Sequence, residues 1–502
     1  MIVPEHILTL DLRTTACTAS LFAMDGSVAA QTSVQYPTLH PEPAAAEQDP
    51  SAWWDAAARG CAALPQEARR RVVAVGLSSH RGGVVPMDAD LRPLGRCLIW
   101  MDRRSAGEIE AFVRTFGRER VHEITGLVPD TEFTAGKILW LRANAPDVFR
   151  AARLYLQPRD YLYLCLTGHP ATDYTLASRT MMLDVVRRTW WPEAFAYVGI
   201  TSDAFPPVYA STAAPHRVAA SAAAALGIPS GVPVALGAGD RPCEVLGAGA
   251  VGGRVMVSTG TTTNVSAASP GVPAARDPRV MCSLHAVDGA FLLEQGMSAS
   301  GSILRWLRDT LLGGTLDYPR LDALAQAVPA GADDLVFLPF MMGARATRWD
   351  PDARGTWFGL RETHGLGDLA RSIMEGVAYE VRACVALLAG MGLSPREVVA
   401  VGDGARSALW DQIIADVLGR PVGVPRQTDA ASLGAMLLAA ASLGRVGAVE
   451  DAARASNPVG HTYAPDPEAG ARYAVLYDVY NRLYEALSPV FHEHRGGAAE
   501  RE

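Results

Sequence analysis

The chain has 502 residues, 49% of them hydrophobic and 20% charged, with a formal net charge of −8. That length exceeds one ordinary core, so two domains of a water-soluble protein are expected. The charge balance, with no basic block, argues against a nucleic-acid binder.

The N-terminus enters a strand pattern at once and lacks the basic and apolar regions of a signal peptide. Strand patterns fall at 7–11, 20–24, 72–78, 84–88 and 98–102, with a hairpin turn at Ala23-Met-Asp-Gly26. Helical patterns fall at 50–64, 104–116 and 135–143. The second half repeats this grammar, with strands at 254–260, 290–296, 335–340 and 398–402 and a helix at 407–418. Leu369, Ile373, Val377, Val381 and Val385 recur every four residues, which predicts a helix over 366–391 with one buried face. The run 432–440 reads as a tightly packed core helix, 473–491 as an amphipathic closing helix, and the residues after His492 as a disordered tail. The richest apolar stretch, 430–443, is too short and too rich in serine to span a membrane.

The seven cysteines are scattered and form no CxxC or zinc-type spacing. A reduced, cytoplasmic protein with thiols as small core residues follows. Lys137 is the only lysine, every other basic side chain being arginine. Either a codon bias left it by chance, or its position needs a compact ammonium that a planar guanidinium does not mimic.

Two strand-turn segments are alike: Ile7-Leu-Thr-Leu-Asp11-Leu-Arg13-Thr14-Thr15 and Val255-Met-Val-Ser-Thr-Gly260-Thr261-Thr262-Thr263. Duplication of a strand-hairpin unit explains the echo, and the crossing between the halves is expected near 247–253. Between the turns lies Gly237-Ala-Gly-Asp240. Phosphoryl transfer needs phosphates positioned, charge neutralised and a nucleophile oriented. Hydroxyl side chains and exposed N–H groups at tight turns serve the first need. Asp11, ending its strand beside the first turn, can hold Mg²⁺ through its waters or merely cap the turn. Asp240 is the general-base candidate, with a helix cap as its other reading. Gly402-Asp-Gly404-Ala405 follows a strand and opens a helix, where glycines allow a base and ribose to approach the backbone. Together these features read as a small-molecule kinase with its ligand between two similar halves.

From Leu10 to about Tyr484 the chain resembles the FGGY carbohydrate kinases of the actin/hexokinase superfamily. The landmarks arrive in family order: Asp11-Leu-Arg-Thr-Thr15, Trp100-Met-Asp102-Arg103, Lys137 with Leu139-Trp140-Leu141, Gly237-Ala-Gly-Asp240, Gly260-Thr-Thr262, Gly301 with Trp306-Leu307, Glu375-Gly376 and Gly402-Asp-Gly-Ala405. The resemblance implies an α/β fold of two RNase-H-like domains around a central cleft, divided as 1–249 and 250–490 with a tail at 491–502. It implies ATP, Mg²⁺ and a sugar or polyol acceptor such as xylulose, no nucleic-acid or membrane partner, and a homodimer at the family level. Carried over by motif, Asp240 is the base and Asp11 lies near the metal. Arg13, Thr14, Thr15, Gly260, Thr261, Thr262, Gly301, Gly404 and Ala405 line the nucleotide, while His80, Arg81, Gly82, Trp100 and Arg241 line the sugar with Asp240.

Three departures from the family pattern stand out. Arg13 replaces a usual glycine and Thr18 a usual basic residue, so Arg13 is expected to supply the charge lost at 18. Asp403 replaces a glycine, where it would bond a ribose hydroxyl or repel phosphate. The sugar loop, Ser78-Ser-His80-Arg81-Gly82-Gly83, matches neither xylulose nor glycerol kinases, and Arg241 stands where Asn or Gln is common. Gly82 reads as room for a larger substrate; Arg81 reads either as a ligand for hydroxyls or an acid group, or as a structural ion-pair residue. These departures also admit a catalytically impaired regulator of the same fold, although such a protein needs no base.

Overall fold

The computed structural model describes residues 5–499. The first apolar run forms β1 (His6–Leu12), and the turn at Arg13 to Thr15 returns it as β2 (Ala16–Ala23), which a second turn at Met24 to Gly26 pairs with β3 (Val28–Gln35). β4 (Val72–Ser79) lies parallel to β1. With β5 (His216–Arg217) and β6 (Pro233–Val234) the order is β5-β6-β4-β1-β2-β3, and β7 (Ala238–Gly239) pairs the end of β4.

The second half builds β8 (Arg254–Thr259), β9 (Thr263–Ser269), β10 (Met281–Leu284), β11 (Phe291–Gly296), β12 (Glu397–Val401), β13 (Val422–Pro425) and β14 (Val459–Tyr463). Their order is β10-β11-β9-β8-β12-β13-β14. Five strands of each sheet correspond in order and direction: β3-β2-β1-β4-β6 matches β11-β9-β8-β12-β13. The two threonine turns join equivalent strands, so the sequence echo is a structural repeat of an α/β unit.

The helices that bear on the site are α1 (Pro50–Ala63), α2 (Thr134–Asn144), α3 (Asp240–Gly247), α4 (Gly301–Trp306), α5 (Leu366–Gly390), α6 (Ala408–Leu418), α7 (Ala430–Ser442) and α8 (Pro467–Ala499). Along β1, Leu8, Leu10 and Leu12 join the α1 side, while Ile7 joins the α7 side. Strand periodicity therefore puts Thr9 and Asp11 on the α7 side too. Helix α7 belongs to the second half in sequence but packs on the first sheet. Its small residues permit this: a Cβ on Gly76 would lie 2.3 Å from the Ala435 carbonyl oxygen, and one on Gly434 would lie 2.0 Å from that of Cys243 in α3. A Cβ on Gly247 would lie 1.9 Å from the Ala430 oxygen, so α3 and α7 touch backbone to backbone.

The four-residue spacing in α5 buries Ile373, Val377 and Val381 in the second core, as expected. All seven cysteines are unpaired, six of them buried. Among the described residues no helix is long and apolar enough to cross a membrane.

Several expectations are corrected. The strand predicted over 98–102 is only Cys97–Leu98, because the backbone turns at Trp100. Strand β3 was not foreseen: it is an edge strand whose apolar residues are diluted by Gln, Thr and Ser. The residues after His492 continue α8 to Ala499, whereas 500–502 lie outside the described residues. Phe491 is buried and the His492 ring bonds Asp350, which holds the helix down at the point where the sequence suggested release.

Candidate active site

The first turn is fixed from beneath. Gln48 donates to the Thr14 carbonyl at 2.6 Å, the Tyr36 hydroxyl donates to the Arg13 carbonyl, and Trp100 Nε1 donates to Thr14 Oγ1 at 3.2 Å. Arg13 and Thr15 remain exposed. Arg13 Nε donates to Asp11 Oδ2 at 2.8 Å, and its guanidinium also pairs with Asp429, the N-cap residue of α7. Asp11 is buried; burial pushes its carboxyl above the ordinary value, Arg13 opposes this, and Asp429 adds to it. Its Oδ1 is buried without a partner. Thr18 is buried opposite Asp11 in the β1–β2 register and bonds Ser33 at 3.4 Å.

The second turn docks on α4. The Gly260 carbonyl accepts from Gly301 N at 3.0 Å and the Thr261 carbonyl from Ser302 N at 3.1 Å. A Cβ on Gly301 would lie 2.3 Å from the Gly260 oxygen, and one on Gly404 would lie 2.5 Å from Thr259 Cγ2. These positions tolerate no side chain, so Gly260 to Thr262, Gly301 and the Gly402 to Ala405 turn pack backbone to backbone. Thr261 is exposed there, Thr262 and Ala405 are half-buried, and Asp403 points to solvent with Arg406 at 3.6 Å.

Asp240 opens α3, and its cap is Gly239. Both hydrogen bonds to its carboxylate go to Oδ1: Arg81 Nε at 3.0 Å and Arg241 N at 2.8 Å. Oδ2 takes none among the described residues, and the side chain is 37% exposed. The Arg241 guanidinium pairs with Glu244 and bonds Ser258 of β8 at 3.2 Å, while Ser258 in turn donates to Glu244.

Arg81 is buried and turns its other edge to Glu294 of β11, at 3.1 and 2.7 Å. The shaft of Arg81 crosses Gly239, where a Cβ would lie 2.3 Å from Arg81 Cδ. His80 is buried edge-on to Trp53 with both ring nitrogens unpartnered. Burial drives its pKa down to about 4 against the pull of Asp240, so at neutral pH it is an uncharged ring. Gly82 does not open space. Its φ is +77°, and a Cβ there would lie 2.2 Å from the Glu132 carbonyl oxygen. Trp100 flanks the same loop and is partly exposed.

Sequence reasoning missed the partners of these residues. Glu294 is a carboxylate inside an apolar strand run, and that is the signal that could have found it. Asp429 and Glu132 carry no comparable signal, because each reads as a capping or surface acid. Lys137 is fully buried and donates to the Thr131 carbonyl at 2.7 Å, beneath the segment that touches Gly82.

The site thus combines a carboxylate with one unpartnered oxygen, a hydroxyl-bearing turn and a set of glycine-packed turns. Comparison with known proteins gives the family. The N-terminal domain model of the FGGY family of carbohydrate kinases matches residues 6–247, and the C-terminal domain model matches residues 255–443. The chain is 31% identical to xylulose kinase of Escherichia coli K12 over 487 residues, covering 96% of this chain and 99% of that protein. It is 28% identical to gluconokinase of Bacillus licheniformis over 497 residues, covering 96% of each. The crystal structure of xylulose kinase from Rhodospirillum rubrum superposes with a TM-score of 0.91 at 32% identity, covering 97% of this chain and 100% of that one. The chain belongs to the FGGY family of carbohydrate kinases, enzymes built from two α/β domains of the actin/hexokinase type.

Proposed function

We propose that this kinase phosphorylates a hydroxyl of a neutral ketopentose, D-xylulose first, using MgATP, with Asp240 Oδ2 as the base. The observation that carries the reading is the Asp240 carboxylate: Oδ1 is fixed by two donors, and Oδ2 takes none among the described residues on a side chain 37% exposed. The sugar hydroxyl gives its proton to Oδ2 as its oxygen bonds the γ-phosphorus, and the bond from that phosphorus to the leaving oxygen of ADP breaks. Arg81 and Arg241 both have carboxylate partners, so neither offers a free cation to a sugar acid. This favours a neutral acceptor over a gluconate-like one.

The residues fit the phosphate donor. The orphaned, buried Oδ1 of Asp11 is an acceptor that a hydrated cation can satisfy. Bound there, Mg²⁺ would neutralise phosphate charge. Thr14 and Thr15 with Arg13 on one side, and Gly260, Thr261 and Thr262 on the other, would flank the phosphates; Gly301, Gly404 and Ala405 would line the base and ribose. His80, Gly82 and Trp100 would border the sugar. In this reading residues 1–249 carry the acceptor site, first turn and base, and residues 250–490 carry the second turn and nucleotide recess. Unpaired thiols support a cytoplasmic setting, and the family-level homodimer is checked by sedimentation.

The test is ADP release from MgATP with ketopentoses, polyols and sugar acids, run beside Asp240→Asn. Turnover with D-xylulose that falls about 10²- to 10⁴-fold in the variant is expected. Turnover only with a sugar acid, or unchanged turnover in Asp240→Asn, overturns the reading.

A further inference from the structure

Around Arg81 charged residues from the two halves of the chain alternate. Asp240, Arg81, Arg179 and Glu132 come from the first half, and Glu294 and Arg345 from the second. Arg81 and Glu294 are 6% and 4% exposed and share a bidentate pair. Arg179 lies 3.6 Å from the same Glu294 and donates to Glu132 at 2.6 Å. Arg345 reaches back to Glu132 at 3.5 Å and Asp130 at 3.6 Å. Burial alone would raise the Glu294 carboxyl, but Arg81, Arg179 and Arg241 outweigh it and hold it down at about 2. Glu294 is therefore an anion, and it sits on β11, in the second half of the chain.

The geometry of Arg81 is the informative point. A guanidinium is a rigid plane, so fixing its two terminal nitrogens fixes the direction of Nε. Glu294 holds those nitrogens, and the Nε–H then meets Asp240 Oδ1 at 3.0 Å. The missing Cβ at Gly239 is what lets the shaft pass. We infer that Glu294 is a positioning residue: through Arg81 it orients the Asp240 carboxylate. Without the Glu294 carboxylate Arg81 loses its anchor, and the base loses its fixed oxygen. The other charged or titratable groups facing Asp240 are Arg241, Arg179 and the neutral ring of His80, all on the first half. Glu294 is thus the member of this set that the second half supplies.

The inference rests on the kinase reading, and two measurements separate their failures. Steady-state kinetics with MgATP and D-xylulose are run on wild type, Glu294→Gln, Arg81→Gln and the double variant. Glu294→Gln keeps the shape and removes the charge. A misdirected base costs about a hundredfold in kcat, with the KM for MgATP within about twofold. The double variant is expected to be no slower than the slower single variant, because one interaction is lost either way. A Glu294→Gln kcat near wild type, or single losses that multiply in the double variant, overturns the inference while leaving the kinase reading intact. If wild type turns over no D-xylulose, that reading fails for this sugar, and the same four proteins are compared, by the same criteria, on the acceptor that is turned over.

Discussion

Replacing Lys137 with methionine gives a measurement whose sign and size follow from the structure. The ammonium is fully buried on α2 and donates to the Thr131 carbonyl. Burial pulls its pKa from 10.5 down to about 8, against the opposing pull of Asp102, Glu132, Cys97 and Asp130. That depression corresponds to about 3 kcal/mol that the fold loses while the lysine is protonated. The sign follows from proton counts. Between about pH 8 and pH 10.5 the unfolded chain holds the proton and the folded chain has released it, so stability rises with pH across that window. From about pH 7 to pH 10 the gain is about 2–3 kcal/mol for wild type, and Lys137→Met lacks it. Urea unfolding of both proteins at several pH values in that range reads the difference directly, since other titrating groups cancel in it. Profiles that run parallel would refute the reasoning. Lys137→Arg, whose charge is permanent, is expected to be less stable than Lys137→Met throughout.

Other substitutions test the site and its supports. Gly82→Ala meets both a left-handed backbone and the Glu132 carbonyl, so a loss of roughly 2–6 kcal/mol is expected; a thermal midpoint near wild type would show that the loop yields. Gly434→Ala drives a Cβ into the Cys243 carbonyl of α3, and a loss of about 3 kcal/mol or more in urea unfolding is expected. Arg13→Ala removes the donor from the buried Asp11 carboxylate; the KM for MgATP is expected to rise about tenfold or more with the KM for D-xylulose unchanged. Equal kinetics for MgATP would remove Arg13 from the phosphate site.

What was legible in the sequence follows the range of the forces involved. The threonine turns and the buried face of α5 depend on a few neighbouring residues, so local pattern reveals them. Arg81 could be read from its motif, but its meaning could not, because Glu294 lies 213 positions away in the chain. Gly82 was misread for a related reason. A small residue suggests space when seen alone, whereas here the Glu132 backbone fills it. The placement of α7 on the first sheet was also hidden: an Ala- and Gly-rich helix announces close packing but not its partner.

The close seam between α3 and α7 bears on how such a molecule moves. Two backbones in direct contact along Gly247, Gly434 and the Ala430 and Cys243 carbonyls have no side chains to shear between them. Such a seam resists sliding but allows a small rotation, as a pivot does. Asp240 begins one of its helices, and Asp429, which holds Arg13, caps the other. The base and the residue that anchors the first phosphate turn are therefore held at a fixed spacing by one backbone seam.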